Sequence, residues 1–116
     1  MLLSVLFTVL LPFFAAIDPK AEQMPTPLMR VVEPASVQAG GEILVTGDHL
    51  GKAIVAEVYL TANGANTKVE VLAQTNNEIR FKVPADQKPG AYRITVLMKS
   101  VDPVLIEEPV RLIVEP

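Results

Sequence analysis

Glu78–Val83 (EIRFKV) alternates charged and apolar residues without a break. In an extended chain successive side chains point to opposite sides, so Ile79, Phe81 and Val83 share one face and Glu78, Arg80 and Lys82 share the other. A helical winding scatters the same residues around its circumference. The segment therefore suits a strand with one dry face and one wet face, and that requires a second layer to cover the dry face.

The same two-residue rhythm recurs along the chain. Ala39–Gly51 (AGGEILVTGDHLG) holds a strand over Glu42–Thr46, with glycines on both sides for chain reversal. Leu28–Glu33 precedes it, closed by Pro34, with Ala35–Gly41 read as a turn. Ala53–Ala62 places Ile54, Val58 and Leu60 on one face with Ala56, and Val55, Glu57 and Tyr59 on the other. Asn63-Gly64 then predicts a type I′ hairpin turn, whose central residues both need positive φ. Lys68–Ala73 alternates, Asn76-Asn77 turns the chain, and Pro84–Gly90 forms a loop. Ala91–Met98 puts Tyr92, Ile94, Val96 and Met98 inward and Arg93 and Thr95 outward. A last strand over Val104–Ile106 and Val110–Val114 is interrupted at Glu107-Glu108-Pro109 by a bulge or a change of sheet. About seven short strands at spacings of roughly ten residues predict an all-β, immunoglobulin-like antiparallel β-sandwich.

The apolar run Leu2–Ile17 contains no charge and falls short of the roughly 20 residues a spanning helix needs. It reads as an export leader, residues 1–21, with a membrane anchor as the alternative; residues 22–27 are a linker and 28–116 the domain. The chain is therefore expected to be secreted, periplasmic or held at the cell envelope. A formal charge of −3 and singly scattered Lys and Arg leave no basic patch for nucleic acid. With no cysteine, disulfides and thiolate metal sites are excluded.

Three pieces of the chain resemble the IPT/TIG domain family (immunoglobulin-like, plexins, transcription factors). Val32-Glu33-Pro34 followed by Gly40-Gly41 is similar to the family's opening strand, proline and Gly-Gly lead-in. Ile43–Gly51 is similar to its strand ending in Thr-Gly, with Leu50 where Phe is usual. Pro84 through Gly90-Ala91-Tyr92-Arg93-Ile94-Thr95-Val96 resembles its Pro-loop-Gly-x-Tyr hairpin. The resemblance implies an Ig-like fold used for protein contact, for spacing domains, or beside carbohydrate-active modules, with no shared catalytic residues and no cofactor.

Individual residues add little chemistry to this picture. His49 is the only histidine, so it cannot complete a metal set with a second imidazole or a thiolate. Ser4, Ser36 and Ser100 lie outside any Gly-x-Ser-x-Gly elbow. Asp48, Asp86, Asp102, Glu107 and Glu108 fall in expected loops but lack the Asp-x-Asp-x-Asp spacing of a calcium loop. Gly47 reads as a turn glycine at positive φ, and Tyr92 as an inward tyrosine of the Ig corner type. That leaves Tyr59, Val55 and Leu97 as outward apolar residues able to contact a partner. The expected function is a non-catalytic exported module for protein–protein contact or envelope architecture. The alternative is an accessory polysaccharide-binding module with Tyr59 as its stacking platform.

Overall fold

The computed structural model describes residues 25–116. The leader Leu2–Ile17, the boundary at residue 21 and Ser4 lie outside the described residues. Nine strands follow in order: β1 (Leu28–Glu33), β2 (Ser36–Gln38), β3 (Glu42–Asp48), β4 (Val55–Ala62), β5 (Ala65–Lys68), β6 (Glu70–Gln74), β7 (Glu78–Lys82), β8 (Gly90–Met98) and β9 (Leu105–Glu115). They form two sheets, a four-stranded one in the order β1-β3-β7-β6 and a five-stranded one in the order β2-β9-β8-β4-β5. This is the immunoglobulin-like sandwich that the alternation predicts.

Its interior is made by the alternating residues. Ile43 and Val45 of β3 and Ile79 and Phe81 of β7 come from the first sheet. Val58 and Leu60 of β4, Ile94 and Val96 of β8, and Leu112 and Val114 of β9 come from the second, and all are buried in one cluster. Asn63 and Gly64 both take positive φ, 53° and 79°, closing the β4–β5 hairpin as a type I′ turn requires.

The two extra strands come from segments that change sheets. The stretch Ala35–Gly41, read as a turn, contains β2: after the cis Glu33-Pro34 bond the chain leaves β3 and joins β9. It keeps its direction in doing so, and the β2–β9 pair is therefore parallel in an otherwise antiparallel fold. The expected strand Lys68–Ala73 is also two strands. Val69 still donates its N–H to Val58 of the five-stranded sheet at 3.0 Å, whereas Glu70 already pairs with Lys82 of the four-stranded one. Polar β5 (ANTK) has no apolar alternation to announce it. At β9 the interruption is a bulge, since the whole strand stays paired with β8.

Gly47 is a strand residue of β3, not a turn residue. The left-handed conformation falls two positions later, on exposed His49 at φ 58°. What demands glycine is space: a Cβ at position 47 would lie 2.0 Å from the Leu28 carbonyl oxygen and 2.9 Å from the Met29 Cα. β1 comes this close where its pairing with β3 slips, between Met29 and Val31. Past His49, buried Leu50 anchors the loop, its N–H donating to Asn76 at 2.9 Å and its carbonyl accepting from the Gln74 amide at 2.7 Å.

Gly47→Ala is expected to lower stability by about 1–3 kcal/mol, the usual cost of overpacking. His49→Gly, which removes a Cβ from a left-handed position, is expected to leave the melting temperature unchanged or raise it. Thermal unfolding of the two variants checks this, and a Gly47→Ala melt matching that of the parent chain contradicts it.

Candidate functional site

The outer face of the five-stranded sheet collects the residues expected to meet a partner, with one exception. Tyr59 of β4 lies between Lys68 of β5 and Thr95 of β8. Leu97 of β8 lies between Glu57 of β4 and Leu105 of β9. Tyr59 and Leu97 thus occupy neighbouring columns of one surface, and both are half-buried. The exception is Val55, which is 1% exposed and belongs to the core. The β4–β8 register shifts between Val55 and Glu57, and this extra residue reverses the alternation, so Ala56 faces out and Val55 faces in. Leu105, 50% exposed, takes the place on the face that Val55 was expected to fill. The long stretch from Val104 to Val114 shows apolar residues on both sides of Glu107-Glu108-Pro109, and only the β8–β9 register tells which of them face out.

Polar contacts stiffen this face. The Tyr59 hydroxyl donates to Glu57, and the Lys68 ammonium donates to the same carboxylate at 3.1 Å. These two bonds hold the Glu57 carboxyl below its ordinary pKa, while the bond to Glu57 raises that of the Tyr59 phenol. The Thr61 and Thr95 hydroxyls pair at 2.6 Å, and Arg93 meets Glu107 at 3.1 Å. Thr95, expected outward, lies on this face yet is only 5% exposed.

The remaining candidates are dispersed. Asp48 accepts from Arg30, and that bond keeps its carboxyl below the ordinary range. Neighbouring His49 is exposed. Ser36 donates to Glu115, and Ser100 to the Asp102 carbonyl at 2.8 Å. Glu107 and Glu108, expected in a loop, lie within β9: Glu107 on the outer face and Glu108 in the interior. Among the described residues no group of three or more His, Asp or Glu is placed to hold a metal ion.

Tyr92 is half-buried, and its hydroxyl donates to the Lys88 carbonyl at 2.6 Å, the backbone tie of an Ig tyrosine corner. Its ring forms one wall of an open cleft of about 380 Å³ that also meets Asn63, Thr67, Asp86, Gln87 and Lys88.

No curated protein matches the chain. One similar solved structure is the 1.77 Å crystal structure of a Bacteroides thetaiotaomicron VPI-5482 protein provisionally named a phosphatase. It is 18% identical with a TM-score of 0.51, and the match covers 74% of this chain and 17% of that one. At that identity the likeness speaks for the fold alone, and this chain spans about a sixth of that protein's length. The model of the IPT/TIG domain matches residues 27–107, from the residue before β1 into β9. The chain belongs to the IPT/TIG domain family.

Proposed function

We propose that this IPT/TIG domain is a non-catalytic, exported Ig-like module that makes protein–protein contact at the cell envelope through the outer face of its five-stranded sheet. The observation that carries the reading is the convergence of Tyr59, Leu97 and Leu105 on one face. Four of its charged groups are drawn into the Glu57–Lys68 and Arg93–Glu107 pairs, while Arg111 stays exposed. An aromatic anchor among aliphatic side chains, ringed by polar groups, is the composition of a contact surface. Because Glu57, Lys68, Arg93 and Glu107 already have partners, a docking protein that covers Tyr59, Leu97 and Leu105 need not strip those four of water as isolated ions.

The edge strands offer less to a partner than this face does. β1, β6, β2 and β5 run for only 6, 5, 3 and 4 residues, and both β1 and β6 carry register shifts. Short or bulged edges discourage strand addition. Polysaccharide binding is the weaker alternative. Stacking on a sugar needs an exposed ring, and Tyr59 is half-buried with its hydroxyl engaged by Glu57. Export rests on the charge-free run Leu2–Ile17.

Two measurements test the proposal. The double variant Tyr59→Ala/Leu105→Glu is expected to melt close to the parent domain, since both positions are on the outer face, and to lose a protein that the parent retains from envelope extract. Equal retention by both contradicts the contact face. Fractionation with mass measurement is expected to find the chain outside the cytoplasm; intact chain confined to the cytoplasm contradicts export.

A further inference from the structure

Glu108 is the one charged side chain buried among the described residues, at 1% exposure. The β9 bulge puts it there. The register runs from Arg93 opposite Arg111 to Thr95 opposite Glu107, so Glu108, Pro109 and Val110 together stand against Ile94 alone. Glu107 stays outside with Arg93, and Glu108 turns inward.

Inside, its Oε1 accepts a hydrogen bond from the Met29 N–H at 2.7 Å, while Oε2 is buried with no partner among the described residues. Met29 lies on β1, an edge strand of the opposite sheet, and stands across from Gly47. The Gly47 N–H points away from β1, donating to Asn77 at 2.9 Å. In such a non-hydrogen-bonded pair the Met29 N–H also points outward, on the side of β1 that has no neighbouring strand among the described residues. Glu108 therefore reaches from β9 in one sheet to a free edge donor in the other.

We infer that Glu108 is a pH-sensitive latch: neutral, it sits sealed between edge strand β1 and β9, and ionised, with Oε2 left unpartnered, it draws in water by parting that strand from β9. Burial pushes the carboxyl above the ordinary glutamate value of 4.5, outweighing the opposing pull of the Met29 N–H. Among the described residues no cation is turned to this carboxyl. β1, β2 and β8 pack against β9. On β1, Arg30 is turned to Asp48 and Glu33 is exposed; β2 has no charged residue; on β8, Arg93 is held by Glu107. The remaining charges of β9, Arg111 and Glu115, are exposed. The sign follows from proton linkage. Between 4.5 and the raised native value the folded chain holds the proton that the unfolded chain releases. The latch contribution is thus full in acid and is lost as pH rises through that interval.

The test uses the intact chain and Glu108→Gln. The Glu108 carboxyl carbon is followed by NMR through a pH titration, and hydrogen exchange is measured at the Met29 and Phe81 amides with intrinsic rates divided out. Glu108 is expected to titrate above 4.5. Met29 should be less protected than Phe81, as local opening of edge strand β1 requires; protection at both should fall across that transition, and Glu108→Gln should show no such step at Met29. Titration at or below 4.5, or a Met29 profile identical in the variant, overturns the inference. The carbon titration needs no variant and decides alone if Glu108→Gln does not fold.

Discussion

Removal of alternate side chains of β3, β7, β4, β8 and β9 from water into one shared interior is the interaction on which the rest of the molecule depends. Each fully buried Val, Leu, Ile or Phe contributes roughly 1.5–3 kcal/mol of transfer free energy. A protein held by a net of roughly 5–15 kcal/mol cannot give up many of them. The central strands β3, β7, β4 and β8 each pair on both sides, so their backbone groups are satisfied within the sheets. Everything else is peripheral to that block: the short edges, the hairpin at Asn63-Gly64 and the loop plugged by Leu50.

How far the fold was legible in the residues follows from the same physics. Where a strand keeps strict alternation, parity is fixed by the pleat, and Ile79, Phe81, Ile94 and Val96 are buried where alternation puts them. A bulge resets parity, and its position depends on the partner strand. Val55 illustrates this: nothing in Ala53–Ala62 reveals the extra residue that turns it inward. Changes of sheet are equally hidden. Val69 and Val71 alternate as if on one strand, yet the chain passes from one layer to the other between them. Gly47 was legible as a backbone glycine, but its reason, the Leu28 carbonyl, comes from a strand about twenty residues upstream that touches it only after folding.

The outer face proposed for contact divides in the same way. Tyr59 and Leu97 were legible as outward residues because their strands alternate around them, whereas Leu105 needed the β8–β9 register. The interior glutamate was out of reach of sequence reading. A Glu-Glu-Pro run reads as a solvated turn, and only the three-against-one bulge separates Glu107, ion-paired outside, from Glu108 within. Membership of the IPT/TIG family accounts for the sandwich, and the Tyr92 tie is that of an Ig tyrosine corner. The Tyr59 face, proposed for contact, and the buried Glu108 are features that this chain carries on that frame.

The sealed interior is tested most directly by denaturant unfolding of Phe81→Ala beside the parent domain. Phe81 has no exposed surface and sits on a strand paired on both sides, so its truncation leaves a cavity that the sheets cannot close. A loss of about 3–5 kcal/mol is predicted, with the chain still unfolding in one cooperative step. A loss below about 0.5 kcal/mol, the range of ordinary surface substitutions, would mean that the two layers do not enclose a common core.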